Sequence, residues 1–308
     1  MTNPTDGALL EKVAEDSRPQ IRRVSKGTIT LRRYLRNRPA VLGLVIFLLL
    51  VLFAAFGSFI AKFPYDQQDF LNLSTGPSAE HWFGTDVAGG DVFALTIRGL
   101  QRSLMIGVIS SVGMTVIAAF VGTAVAYFEG WTERIGMWLL DMLLVIPSFL
   151  VLAVLVKNSS GSNGWFMLTL ALMGFGWIPY ARILRSIALS LREREYVQAA
   201  KFMGERDLTI ITRHMIPNLG SILIIHTVLG VGYSITAETG LSFLGFGVKP
   251  PDISLGVLIH NGAGSVLTAP WIMAIPSVFL IVLLLSMTLI GDGLRDALDP
   301  ASSSGGKA

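Results

Sequence analysis

The sequence predicts an all-α integral membrane protein with six transmembrane helices, and three observations carry that expectation. Mean hydropathy is +0.62, with 52% hydrophobic and only 15% charged residues, a balance that water-soluble domains do not show. Long uncharged runs recur, the first over residues 40–61; about 22 residues at about 1.5 Å each cross the ~30 Å hydrocarbon core. The basic residues are also unevenly placed. With six spans and an inner N-terminus, 19 of the 24 Lys and Arg fall in inner segments and five in outer ones, which puts both termini in the cytoplasm.

Composition excludes several kinds of chemistry. The chain has no cysteine, so disulfides, thiolate metal sites and cysteine nucleophiles are absent together. His81, His214, His226 and His260 fall on different predicted elements without ligand spacing, and no metal site built by this chain is expected. No GxxxxGK[ST] stretch occurs, so nothing here cradles nucleotide phosphates in the usual way.

Residues 1–38 read as a basic cytoplasmic tail, partly disordered near its start, with nine Lys or Arg against four acids. Beside a membrane span, such a cluster is a topological signal rather than a nucleic-acid contact. A secretory leader would place its apolar core much sooner. Residues 39–102 hold the first helix, 40–61, and an extracytoplasmic loop, 63–102, rich in turn formers. Residues 103–300 form a five-helix core and residues 301–308 a disordered Ser/Gly-rich tail.

Within the core, helix two is expected over 103–128, where Ala118, Gly122 and Ala126 make a smooth stripe for close packing. A short connection, 129–134, leads to helix three at 135–156, which contains Asp141 and Pro147. A carboxylate inside a span must face protein or water, so Asp141 is either a pathway residue or a structural one. A polar turn at 157–164 precedes helix four, 165–189, and Ser190 with Glu193 reads as a capping box. Helix five runs from Asn218, its expected cap, to about Ala237 and continues into ETGLSFLGFG, 238–247, whose glycines suggest a bent or broken helix end. Glu238 there is the best single candidate for the pathway or its gate, with a structural ion pair or helix-end bond as the alternative. Residues 252–270 are an outer loop, and helix six spans 271–290.

Between helices four and five lies a charged island, 190–218, containing EYVQAAKFMGERDLTIITRHMIPN. Tyr196, Ala199, Ala200 and Met203 fall on one face of a helix. Gly204 stops that helix, implying a left-handed or tightly approached backbone. Asp207 is placed to cap a second, shorter helix with Leu208, Ile211 and Met215 on one face and Pro217 at its end. Periodicity alone also fits an ordinary amphipathic hairpin lying on the membrane.

The residues in this island, Glu195, Ala199, Ala200, Gly204, His214, Pro217 and Asn218, resemble the EAA loop of ABC importer permeases of the dipeptide, oligopeptide and nickel branch. Three further stretches in the expected order resemble the same branch: Phe83-Gly84-Thr85-Asp86, LSFLGFG at 241–247 and GDGLRDALDP at 291–300. The similarity covers about 32–300, and it departs from the family pattern at Gly90, usually arginine, at Leu255, usually tryptophan, and at Ser286-Met287, usually Phe-Asn.

The resemblance implies a type I ABC importer permease fold in a bacterial-type inner membrane, and a non-enzymatic pore subunit for short peptides, with nickel chelates second. It implies that Glu195, Tyr196, Ala199, Ala200, Lys201, Gly204, His214 and Pro217 form the loop that couples to an ATPase. It also implies partners: a homologous second permease, two ABC ATPase subunits or domains, an extracytoplasmic substrate-binding protein and membrane lipid, without nucleic acid. The chain itself binds no cofactor on this reading, and ATP and Mg sit on the partner ATPases. A membrane hydrolase would need HExxH, GxSxG or a Ser/His pairing, none of which is seen. An ATP-independent carrier would ordinarily show internal repeats or charged relays of its own.

Overall fold

The computed structural model describes residues 26–157 and 164–298. The expectations for residues 1–25, for the turn at 158–163 and for the tail 301–308 lie outside the described residues. The named elements of the described chain are all helices: α1 Lys26–Arg36, α2 Arg38–Ile60, α3 Val92–Tyr127, α4 Trp131–Val145, α5 Ser148–Lys157, α6 Gly164–Arg192, α7 Glu195–Phe202, α8 Asp207–Phe243, α9 Leu255–Ala263 and α10 Trp271–Leu298. Five of these, α2, α3, α6, α8 and α10, are long and apolar enough to cross a membrane, and the pair α4–α5 makes a sixth span if counted as one.

Several expected boundaries move, each for a local reason. The second span begins at Val92 rather than near 103, because Asp91 caps it, its Oδ2 accepting from the Ala94 amide at 2.9 Å. Arg98 and Arg102, read as loop charges, therefore lie on α3 and both pair there with Asp252. The third span is broken: α4 and α5 meet at 73°. Pro147 disfavours helical backbone at the preceding residue, and Ile146 is extended, with φ −74° and ψ 121°. The fourth helix continues to Arg192, with the Ser190 hydroxyl donating to the Ile187 carbonyl, so no capping box forms with Glu193. The outer loop at 252–270 contains α9, capped by Ser254, whose Oγ accepts from the Val257 amide at 3.2 Å. The last helix does not end near 290 but carries the GDGLRDAL stretch in helical form to Leu298.

The long α3 is the axis of the assembly, packing against α2, α6, α8 and α9. Lipid chains are as apolar as leucine, so association within a bilayer comes from close van der Waals fit, and small residues permit it. Ala118, Gly122 and Ala126 are all buried, and a Cβ at Gly122 would lie 2.6 Å from the Ala181 carbonyl oxygen on α6. The α2–α10 contact is built in the same way: a Cβ on Gly293 would sit 2.1 Å from that of Ala40. That proximity accounts for a glycine at 293 inside a helix, and Gly291 makes room in the same way for Leu229 of α8.

Candidate functional site

The charged island folds as an elbow projecting from the ends of α6 and α8. Its first arm, α7, ends in a glycine turn whose hydrogen bonds follow from sequence: the Glu205 amide donates to the Ala200 carbonyl at 3.1 Å and the Gly204 amide to that of Lys201 at 3.1 Å. This paired closure requires a left-handed residue, and Gly204 has φ +75°. The other half of the expectation fails, since a Cβ at Gly204 would meet nothing within 4 Å. The position is strained for other residues but not crowded.

The second arm is continuous with a span. Asp207–Thr209 is α-helical, Ile210–Met215 is a π-helical segment, Ile216–Leu219 is a 3₁₀ turn, and Gly220–Phe243 is α-helix again. Pro217 therefore does not end the run. It lacks an amide hydrogen, and beside it the Asn218 side chain donates to the His214 carbonyl at 2.6 Å. Asn218 thus replaces a missing backbone donor rather than capping the next helix. Asp207 does not cap by its side chain either; its Oδ1 accepts from the Tyr127 hydroxyl at 2.6 Å.

The underside of the elbow is bolted to the membrane body. Val197 and Ala200 from α7 and Ile210, Ile211 and Met215 from α8 are buried among Ala126 and Tyr127 of α3 and Leu184 and Ala188 of α6. At the water-facing end of the spans each fully buried large apolar side chain contributes about 1.5–3 kcal/mol. Polar ties add direction. Arg192 donates to the Ala126 carbonyl at 3.0 Å, Gln198 to the Arg192 carbonyl at 3.0 Å, and Arg185 pairs with Glu133. His214 Nε2 lies 2.8 Å from a Glu205 carboxylate oxygen, and the Lys201 ammonium stands 5.9 Å from the Tyr127 ring.

The face picked out by periodicity is divided between body and surface. Tyr196, Ala199 and Met203 point outward, Val197 takes the inner position with Ala200, and Leu208 is exposed while Ile211 and Met215 are not. The outer surface consequently carries Tyr196, Phe202, Met203 and Leu208, the last three 71–88% exposed, among Glu195, Lys201, Arg206 and Arg213. An apolar patch rimmed by charge marks an interaction surface. Phe202, its most exposed member, was passed over in sequence because it stands off the stripe that periodicity selects.

At the opposite end, Phe83, Gly84, Thr85 and Asp86 form a clamp. Thr85 is buried, donates to the Asn72 carbonyl at 2.5 Å and accepts from the Thr75 amide, while its own carbonyl accepts from the Trp271 indole at 3.1 Å. Gly84 has φ +77°, and a Cβ there would lie 2.6 Å from the Thr75 carbonyl oxygen. Asp86 accepts from the amides of Ala88 and Gly90 at 2.9 and 2.7 Å. Gly90, where the family pattern has arginine, is thus tied through its backbone. Phe83 packs edge-on against Phe93 at 5.0 Å. Nearby, hydrogen bonds from the Asn72 side chain and then the Leu71 amide hold the Asp69 carboxyl below its ordinary range.

Sequence reasoning missed a second tie on this side: Asp252, buried, accepts from both Arg98 (2.6 Å) and Arg102 (2.7 Å). The arginines lie 154 and 150 residues away, and no local pattern signals such a pairing. Asp252 also stands just before α9, whose first residue Leu255 is buried and donates its amide to Ser103 at 3.1 Å.

The two pathway candidates do not come together. Glu238 is buried on α8, its Oε1 accepting from Ser242 and Ser254 at 2.5 Å each. Asp141 is half-exposed on α4 and pairs with Arg182 of α6 at 3.2 Å. Among the described residues no three His, Asp or Glu side chains converge as a metal cluster would require.

Comparison with known proteins accounts for this arrangement. The family described as binding-protein-dependent transport system inner membrane component matches residues 112–304, and the N-terminal TM domain of oligopeptide transport permease C matches residues 25–77. The chain is 47% identical to the oligopeptide transport system permease protein OppC of Mycobacterium tuberculosis over 280 residues, 91% of this chain and 96% of that protein. It is 35% identical to the OppC of Bacillus subtilis, covering 90% and 92% of the two chains. It is also 35% identical to the glutathione transport system permease protein GsiD of Escherichia coli, covering 87% and 88%.

Proposed function

The chain belongs to the family of binding-protein-dependent transport system inner membrane components, and from that premise we propose that it forms half of the translocation pathway for short peptides in an ATP-driven importer. The observation that carries the proposal is the elbow: a surface of exposed Tyr196, Phe202, Met203 and Leu208 on a base that is buried in the spans themselves. In this reading the surface seats in a groove of an ABC ATPase subunit, with Glu195, Ala199, Lys201 and Gly204 at the contact and Ala200, His214 and Pro217 shaping the elbow beneath. ATP and Mg belong to two such ATPase subunits or domains.

The mechanism follows from connectivity. The elbow has no span of its own, so moving it displaces α6 and α8 together with the end of α3. Those helices rock against a homologous second permease, exchanging an outward-facing cavity for an inward-facing one, and the free energy comes from the different affinities of the two states for ATP. Both termini and the elbow lie on the cytoplasmic side, supported by the distribution of Lys and Arg. An extracytoplasmic binding protein delivers solute to the side of the 83–86 clamp. Asp141, half-exposed, is the better of the two candidates for the pathway; Glu238, enclosed by serines, holds α8 to α9. The peptide assignment is supported by the names of the relatives, with nickel chelates as the second cargo.

The test is uptake into proteoliposomes holding the full complex and its binding protein, with labelled di- and oligopeptides, glutathione and nickel chelates in parallel. ATP-dependent peptide uptake is expected, together with no ATP hydrolysis by this chain alone. Nickel uptake without peptide uptake overturns the cargo; flux undiminished after removal of the ATPases overturns the coupled mechanism.

A further inference from the structure

The chain enters its first span through a helix whose two faces are unlike. On α1 the side chains of Arg32, Arg33 and Arg36 lie along one side, while Tyr34, Leu31 and Leu35 lie along the other. Tyr34 is buried against the body and its hydroxyl donates to the Ala40 carbonyl at 3.1 Å. Leu31 and Leu35 are 58% and 56% exposed, and the three arginines are exposed as well. None of these arginines, nor Arg38 directly after them, forms an ion pair among the described residues.

The helix is held at a fixed attitude. Only Asn37 separates it from α2, and that residue caps α2, its Oδ1 accepting from the Ala40 amide at 3.2 Å, while its Nδ2 donates to Asp296 of α10 at 3.1 Å. The uncharged part of the first span begins immediately after Arg38. A rigidly mounted amphipathic helix at that point lies in the headgroup plane on the side of the elbow, its apolar face toward the acyl chains.

Beneath it is a mostly apolar groove of about 960 Å³ lined by Leu31, Leu35, Leu44, Ile224, Ile290 and Leu294 among others, and also by Arg33. From these features we propose that the groove binds one anionic glycerophospholipid of the elbow-side leaflet, its phosphate at Arg33, with Arg32 and Arg36 adding positive charge beside it, and an acyl chain between α1, α8 and α10. Charge complementarity selects the headgroup, since three guanidiniums without an ion pair among the described residues attract a net anion more strongly than a zwitterion, whose own cation offsets its phosphate. The apolar walls select a lipid over a free phosphate. Ile224 stands on the first turns of α8 after the elbow, so the lipid touches the helix through which the elbow is joined to the body, and its presence bears on how that helix moves.

The experiment places the purified full chain in nanodiscs of phosphatidylcholine with and without phosphatidylglycerol and reads retained lipid by native mass spectrometry. Preferential retention of one phosphatidylglycerol is expected. Each basic residue near an anionic surface is worth about fivefold in affinity, so replacing all three arginines with glutamine should cut that preference on the order of 100-fold, while the three lysine replacements retain most of it. Equal retention of both lipids, or an unchanged preference in the glutamine variant, overturns the proposal. If the glutamine variant fails to insert, Ile224→Trp decides, because it fills the groove and leaves the arginines in place. Loss of the retained lipid supports the site, and undiminished retention shows that only a diffuse charged surface is involved. Lipid retention lost merely by adding inorganic phosphate points to a phosphate site instead.

Discussion

Gly204 separates the strain of the turn from the fit of the docking surface. Its φ of +75° costs a residue with a Cβ about 1–2 kcal/mol, and asparagine somewhat less, because it tolerates the left-handed region. No atom lies within 4 Å of the position a Cβ would take. Gly204→Ala and Gly204→Leu should therefore destabilise the isolated chain to the same extent, within a few tenths of a kcal/mol. In the complex they should part. The turn stands between Met203 and Leu208, 79% and 71% exposed, and a leucine side chain there would lift one of them from a fitted groove. Losing the burial of one such side chain, about 1.5–3 kcal/mol, weakens ATPase binding by roughly 10- to 150-fold. Thermal unfolding of the chain alone and peptide-stimulated ATP hydrolysis by the complex would be compared for Ala, Asn and Leu variants. Leucine and alanine variants that couple equally well would refute a docking role for this turn; a leucine variant much less stable than alanine in isolation would refute the open geometry.

Other expectations follow from the ties beneath the elbow and along α3. Tyr127→Phe removes the hydroxyl that donates to Asp207 and should cost about 1–3 kcal/mol, as a bond to a charged acceptor does; the same loss in an Asp207→Asn background, read as a double-mutant cycle, would show that the pair is not coupled. Gly122→Leu forces a Cβ to 2.6 Å from the Ala181 backbone oxygen and should abolish stable packing of α3 on α6, seen as loss of a monodisperse detergent-solubilised species, whereas Gly174→Leu, at a site with no atom within 4 Å, should be tolerated. Asp252→Asn leaves Arg98 and Arg102 sharing a neutral acceptor and should destabilise the side of the 83–86 clamp by several kcal/mol, with partial recovery on adding Arg102→Gln.

The broad position of the apolar runs was legible because a bilayer imposes a length on every uncharged run, and residues 40–61 could hardly be read otherwise. Boundaries were less legible wherever a distant side chain changes the meaning of a local charge. Arg98 and Arg102 looked like the end of a loop until Asp252, far along the chain, made them tolerable inside α3. The elbow was visible as a motif, but which of its side chains turn inward was not. Periodicity scores the similarity of residues around a helix, and α7 is apolar on both sides: Val197 and Ala200 toward the body, Tyr196, Phe202 and Met203 toward water. A helix that offers one apolar face to its own chain and another to a partner cannot be resolved by a single hydrophobic stripe.

The irregular start of α8 follows from the same double duty. Ile210, Ile211 and Met215 must all reach inward while the chain passes from the elbow into a span, and a uniform α-helix advancing 100° per residue carries adjacent inward positions apart. The π segment Ile210–Met215, with more residues per turn, narrows the arc over which the three face inward, and the 3₁₀ turn Ile216–Leu219, with fewer, winds the chain more tightly again. Pro217 withholds an amide at the change of pitch, and Asn218 supplies a side-chain donor to the His214 carbonyl in its place. The base of α7 is fixed by Arg192 and Gln198 to α6 and α3, whereas residues 210–219 join the elbow to α8 through a helix with weaker and less uniform bonding. On the proposed mechanism, force entering at Tyr196, Phe202 and Met203 therefore moves the ends of α3, α6 and α8 together, and the irregular segment 210–219 is where α8 yields most relative to the other two.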